Sequence, residues 1–190
     1  MLIYSMSASL DGFIVDRDGR FDWSVPSEEQ FRFHLDEARS IGAVVCGRGL
    51  YEAMLPWETD PSLRDDELGA EFAELWNPVP KVVFSRTLDR VEGNARLATR
   101  PLADEIADAL VAASATDRHV EVGGAGLAGQ AIELGLVDEF RVFRNPVIVG
   151  GGTPLLPAVA EQIDLELLET RVFAGRVVFE RYRLAGRGRP

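Results

Sequence analysis

The chain has 190 residues, 46% hydrophobic and 27% charged, with 18 Gly and 10 Pro, enough to bury a core without staples. That excludes a disordered linker, a disulfide-held miniprotein and the low-complexity classes. The formal net charge of -11 excludes the basic footprint that nucleic-acid binding requires, while leaving room for a small anionic ligand held by local arginines and backbone N–H groups. Cys46 is the only cysteine, so an internal disulfide, a Cys-rich zinc site and the Cys-x-x-Cys of zinc deaminases are absent, and no metal site is expected. Apolar runs such as Val142 to Val149 are interrupted and too short for a membrane span, and the N-terminus starts a strand without a basic stretch. A soluble cytoplasmic protein is expected.

Periodicity predicts a strand over Leu2 to Ser9, then a polar loop over Leu10 to Ser24 with turns at Asp11-Gly12 and Asp18-Gly19. A helix follows, with Ser27 as N-cap, Gln30 as capping-box partner, and Phe31, Leu35 and Ala38 at helical spacing. Ile41 to Cys46 reads as a short buried strand ending at Gly47-Arg48-Gly49. Helices are predicted over Leu50 to Leu55 and Ser62 to Trp76, the latter broken by Pro78 and Pro80. Lys81 to Ser85 is a strand and Ala95 to Thr99 a weaker one. Leu102 to Ala113 is an amphipathic helix, His119 to Gly123 a strand, Gly126 to Leu134 a helix and Glu139 to Val149 a long strand. Leu165 to Phe173 and Val177 to Leu184 alternate around Ala174-Gly175 as a hairpin. This order predicts a single α/β domain over residues 1–185, its sheet mostly parallel with an antiparallel C-terminal edge, and a frayed tail at 186–190.

Strand ends carry the chemistry. Gly123-Gly124-Ala125-Gly126-Leu127-Ala128-Gly129 contains G-x-G-x-x-G between a strand and a helix, where glycines admit a phosphate and a helix N-terminus presents unpaired N–H groups. The next strand ends in Val149-Gly150-Gly151-Gly152 rather than an acidic residue, so a Rossmann half is rejected. Close strand-helix packing is the competing explanation of these glycines. Arg48 after Gly47, and the Ser85-Arg86-Thr87 cluster, offer a guanidinium fork and hydroxyls suited to a phosphate, though either could be an ordinary turn. Ligands bind outside the carboxyl ends of strands in open sheets, so convergence of all three suggests a dinucleotide. Lys81 is the only lysine and sits at a strand entrance.

The chain resembles the dihydrofolate reductase-like fold, in particular the reductase domain of bacterial riboflavin-biosynthesis deaminase-reductases and their stand-alone relatives. The resemblance runs through Ser7-Ala8-Ser9-Leu10-Asp11-Gly12, Gly47-Arg48-x-x-Tyr51-Glu52, Val82 to Thr87, Gly123-Gly124-Ala125, Gly135 to Glu139, and Pro146-x-x-x-Gly150-x-Gly152-x-Pro154-Leu155. It implies a three-layer α/β sandwich and an NADPH site. Gly47, Arg48, Ser85, Arg86 and Thr87 would hold the adenosine-phosphate side, Gly123, Gly124, Ala125, Gly126 and Leu127 the pyrophosphate, and Ala8 the nicotinamide. Trp23-Ser24-Val25-Pro26-Ser27-Glu28 follows the fold's Trp-x-x-Pro-x-acid pattern, which implies Glu28 as proton-relay carboxylate. An acidic residue in a first helical turn is equally explained by the macrodipole. Asp11 and Asp22 are rival carboxylates, with Asp11 also a turn residue.

The same resemblance implies a small heterocyclic substrate, pteridine- or pyrimidine-like, walled by Phe31, Leu50, Met54 and Trp57, residue types that also build plain core. Leu50 stands where the family usually has Thr. A nucleotide-binding module without catalysis, or a dimerising regulatory protein, is the alternative. A homodimer is expected, with Val172, Phe173, Val177, Val178, Phe179 and Tyr182 of the hairpin as either core or dimer edge.

Overall fold

A computed structural model describes residues 1–174 and 176–186. An eight-stranded sheet has the order β5-β4-β3-β6-β1-β7-β10-β9, where β1 is Leu2–Ser9, β3 Ile41–Gly47, β4 Lys81–Phe84, β5 Ala95–Leu97, β6 His119–Gly123, β7 Glu139–Asn145, β9 Leu165–Phe173 and β10 Val177–Leu184. Neighbours from β5 to β7 pair in parallel, while β10 pairs antiparallel with both β7 and β9. A second, two-stranded sheet joins β2 (Phe13–Val15) to β8 (Thr153–Pro154), so the predicted polar loop contains a strand.

Period-2 alternation in buried strands sends successive residues to opposite layers. Leu2, Tyr4 and Ala8 of β1, Val120 and Val122 of β6, and Ala43 and Val45 of β3 pack under α5 (Leu102–Ser114) and α6 (Ala125–Glu133). Val44 and Cys46 of β3 and Val83 of β4 face the other way, toward Ala38, Tyr51 and Trp76 of α1 (Glu28–Ala38), α2 (Arg48–Met54) and α4 (Glu67–Trp76). A short α3 (Pro56–Thr59) links the last two. Under the far end of α1, Phe33 closes over Phe143, Phe173, Val177 and Phe179. The result is the three-layer sandwich implied by the resemblance. No helix among the described residues is long and apolar enough to cross a membrane.

Several predicted elements shift for local reasons. Ser27 caps α1 by accepting from the Gln30 backbone N–H at 3.3 Å, but the Gln30 side chain turns inward instead of returning to the cap. The helix predicted from Ser62 begins at Glu67, because Pro61 starts a 3-10 turn and the Asp66 carboxylate captures the Gly69 N–H at 2.8 Å. The strand predicted to reach Val149 stops at Asn145, since Pro146 has no N–H to donate. The tail expected at 186–190 lies outside the described residues from position 187 onward.

Candidate active site

Parallel pairing carries the strand ends to one edge: Gly47 lies opposite Phe84, Cys46 opposite Gly123, and Ser9 opposite Asn145. The three sequence clusters therefore meet across β4, β3 and β6, with β1 next in line. Arg48 donates from Nη1 to the Thr87 hydroxyl at 3.0 Å and lies 3.8 Å from the Glu52 carboxylate. The Ser85 hydroxyl accepts from the Thr87 and Leu88 N–H groups at 3.2 and 3.1 Å, a turn that leaves Arg86 exposed. Tyr51, in the Gly-Arg-x-x-Tyr-Glu stretch, is buried, and its hydroxyl accepts from the Glu92 N–H at 2.7 Å. It pins the loop that carries Ser85 to Thr87.

On β6 the chain turns through Gly124 at φ +85°, a backbone conformation that favours glycine, straight into α6, which has no side-chain cap. At Gly47, Gly49 and Gly126 an added Cβ would meet no protein atom within 4 Å, so the main chain there is open to a ligand. Gly123 differs. A Cβ there would fall 2.0 Å from Leu50 Cδ2, so this glycine is required by the packing of Leu50 as much as by any ligand. Gly129, the last of the G-x-G-x-x-G set, packs toward Pro157, with a Cβ distance of 3.3 Å.

The candidate acids take different places. Glu28 is exposed and bound to Arg32 at 2.9 Å one turn on, so the desolvated carboxyl that the resemblance implies is not found in this side chain. Asp11 accepts from Val149 and Gly150 N–H at 3.1 and 2.8 Å, tying the loop after β1 to the loop after β7. Hydrogen bonding from the Ser9 hydroxyl, then from those amides, holds its carboxyl below the usual range. Ala8 is buried on the α5 and α6 face, and its carbonyl accepts from Asn145 Nδ2 at 3.3 Å. Phe31 and Trp57 meet Phe72 of α4, with ring centroids at 5.8 and 4.6 Å, while Leu50 and Met54 pack on the Tyr51 and Trp76 core. These four walls lie in the seam between α1, α4 and the α2–α3 turn.

Sequence reasoning missed the inward polar pair on α1. Gln30 and His34 face the sheet one turn apart, their Nε2 atoms 3.3 Å from each other, and His34 lies against Phe143 with centroids 4.5 Å apart. Burial pushes the His34 imidazolium down to a pKa of about 4, so the ring is neutral near pH 7. The available signal was a Gln and a His at i, i+4 on the same stripe as Ala38. The indole N–H of Trp23, in the 3-10 turn Asp22–Ser24 that packs on β1, is also buried without a partner. Lys81 is not in this site. Its ammonium is saturated by Glu58 and the carbonyls of Trp76 and Val79, each at 2.9 Å. Cys46 is buried too, its thiol pushed up to about 12 by desolvation, consistent with an inert core residue.

The model of one protein family, the RibD C-terminal domain, matches residues 1–179. The chain belongs to the RibD C-terminal domain family. Among its relatives, the uncharacterized protein YyaP of Bacillus subtilis is 31% identical over 177 residues, covering 93% of this chain and 91% of that one. A crystal structure of a putative riboflavin biosynthesis protein from Shewanella sp. PV-4 superposes with a TM-score of 0.75 at 24% identity, over 96% of this chain and 98% of the other. The deaminase/5-amino-6-(5-phosphoribosylamino)uracil reductase of Thermotoga maritima superposes at 0.61 with 20% identity, and there 97% of this chain covers 56% of the longer protein. The family match spans the sheet up to Phe179, and in this chain Arg48, Ser85 and Gly124 follow strands that end at one edge of it.

Proposed function

We propose that this chain is an NADPH-dependent reductase of a small nitrogen heterocycle, pteridine- or pyrimidine-like, with a riboflavin-biosynthesis type of role. The observation that carries the reading is the open edge where Gly47-Arg48, Ser85 to Thr87 and the uncapped start of α6 converge. The fit to a dinucleotide is chemical. Arg48 and Arg86 with the Thr87 hydroxyl supply a cationic, hydrogen-bonding corner for a ribose phosphate, and the first free N–H groups of α6 supply a pyrophosphate seat. NADPH supplies a hydride when bound, and the protein supplies position. Leu50 must yield a little for main-chain approach at Gly123. Family membership supports the reductase class, and the uracil reductase activity of the Thermotoga maritima relative supports the substrate class.

Titration with NADPH and NADH, read by energy transfer from tryptophan to the reduced nicotinamide, tests this. Saturation by NADPH with NADH at least about tenfold weaker is expected, and Arg48→Ala with Arg86→Ala is expected to abolish that preference. No binding of either cofactor by folded protein overturns the reading. Binding without turnover of any pteridine or aminouracil favours a non-catalytic nucleotide-binding module, for which Leu50 against Gly123 and the outward Glu28 speak.

We also propose a homodimer built on β9. The hairpin divides cleanly: Phe173, Val177 and Phe179 are core under α1, whereas Val172, Leu165, Leu167 and Leu168 are exposed on the terminal strand of the sheet. That nine-residue edge carries no Pro or Lys to block pairing, and a second copy of the same edge extends the sheet antiparallel. Sedimentation at micromolar concentration should give a dimer mass, and Leu167→Lys with Val172→Lys a monomer. A monomer for the unaltered chain refutes it.

A further inference from the structure

At the end of the sheet opposite the open edge, where β7 begins and β10 ends, lies a cavity of about 460 Å³ that takes no part in the reductase reading. Its floor is core: Ile132 near the end of α6, Val137 ahead of β7 and Phe140 on β7 are all buried. The turn at Gly135, with φ +65°, and Leu184 at the end of β10 complete that side. The roof is the segment 159–163, where Val159 and Ile163 stay 44% and 37% exposed although both line the cavity. This roof is held off the floor because both its ends are pinned. Ahead of it the Tyr4 hydroxyl donates to the Leu155 carbonyl at 2.8 Å and Pro157 packs toward Gly129; behind it the Asp164 carbonyl accepts from the Ala185 N–H at 2.9 Å.

The charges of the cavity have one sign. Glu133 and Glu161 line it, and neither makes an ion pair among the described residues. The remaining polar side chain, Gln162, donates its amide to Asp164, and no Lys, Arg or His stands among the lining residues. An anionic nucleotide is therefore repelled here, whereas Arg48 and Arg86 attract one at the open edge. Apolar walls around a volume typical of small-molecule sites, with two uncompensated carboxylates, fit one class of occupant. We propose that this cavity is a second binding site, for a small amphipathic cation, with an apolar body against Val137, Phe140 and Ile163 and an ammonium at the rim formed by Glu133 and Glu161. Burial of the apolar body supplies affinity, and the carboxylates select by charge. The site is separate from the cofactor edge, and the inference does not rest on the reductase reading.

The test uses three probes that share one apolar body, 1-naphthylmethylamine, 1-naphthylmethanol and 1-naphthylacetate, titrated into the full chain by calorimetry at neutral pH and low ionic strength. The amine is expected to bind saturably with a dissociation constant below about 1 mM, at least about fivefold more tightly than the alcohol, and the acid more weakly still. Added salt should erase the difference between amine and alcohol. Glu133→Gln with Glu161→Gln should erase it too, with the alcohol unchanged, and Ile163→Ser should weaken amine and alcohol alike by about threefold. All three positions are exposed, so the variants keep the fold. In nuclear magnetic resonance, the amine should shift the amides of Gly135, Ile163 and Leu184 and leave those of Gly47 and Gly124 in place. No saturable amine binding, equal binding of amine and alcohol, shifts at the open edge instead, or a ratio that the double variant leaves intact would overturn the proposal. So would a tenfold gain in amine affinity for a chain ending at Gly186, which would make the segment with Arg187 and Arg189 the occupant. Loss of amine binding as rising protein concentration drives dimer formation would make the occupant a second copy, and would equally overturn it.

Discussion

The two faces of the sheet are built on opposite principles. Toward α5 and α6 the strands present Leu2, Ala8, Val45, Val120 and Val122, with Ile106, Ala109 and Ala128 set against them, an apolar layer whose one buried hydroxyl, Tyr4, donates to the Leu155 carbonyl at 2.8 Å. Toward α1 and α4 the same strands bury Lys81, Glu139, Arg141, His119 and Asn145, and α1 adds Gln30. Most of these charges are paired: Lys81 with Glu58, and Glu139 with both Arg141 at 2.7 Å and Arg181 at 2.9 Å. Apart from Glu105 of α5, which Arg96 and the Thr99 amide hold at the β5 edge, one face is a stability layer of apolar volume, and the other is held by specific partners beside the candidate site. A fold that carries a site on one side of a sheet can keep the other side generic.

The largest expected effect lies on the polar face. Lys81→Ala should cost about 3–5 kcal/mol in denaturant unfolding, because it leaves the Glu58 carboxylate buried and unpaired. Ile106→Ala on the apolar face should cost about 3 kcal/mol, and adding back volume with Ile106→Val should recover more than half of it. Equal recovery by Lys81→Arg would erase the distinction, since a partner-specific site should not accept a wider, planar cation.

Acid should separate the faces next. His34 has its folded pKa lowered to about 4 from 6.5, so the unfolded chain takes up the proton first and stability is lost as pH falls from about 6.5 to 4. Glu105 on α5 is lowered to about 2 from 4.5, chiefly by its hydrogen bond from Arg96 and further by the Thr99 N–H, so its contribution is present above about pH 4.5 and lost toward pH 2. Each is expected to contribute about 2–3 kcal/mol, resolved as two slopes in unfolding free energy against pH. A His34→Phe variant that keeps the upper slope would show that His34 is not its source.

The smallest expected effect is the sharpest. Gln30→Leu should change stability by less than about 1 kcal/mol, because the gain from removing the unpartnered Oε1 offsets the loss of the 3.3 Å contact between Gln30 Nε2 and His34 Nε2. A loss of several kcal/mol would make Gln30 one more paired group of the polar face.

What was legible in the sequence follows from local physics. Alternating apolar strands, the Ser27 cap, and glycines directly after strands are short-range signals, and they placed the order of elements and the clusters at Gly47, Ser85 and Gly123. Less legible was anything set by competition between neighbours. The helix predicted to start at Ser62 starts at Glu67, because a prolyl 3-10 turn takes up the residues before it and Asp66 caps the later start. Glu28 and Gln30 stand two residues apart in one helical turn, and the helix phase alone turned the carboxylate to Arg32 and solvent and the amide inward. Which face of the terminal hairpin is core could not be read from its alternation, since both faces carry apolar residues; Phe33 of α1, distant in sequence, decided it. By itself the sequence determined most of the elements, the mostly parallel character of the sheet and the family to which the chain belongs, because those rest on period and turn chemistry within a few residues. The tertiary structure alone decided which polar side chains are buried, paired or left open, because burial depends on what the rest of the chain stacks over each residue.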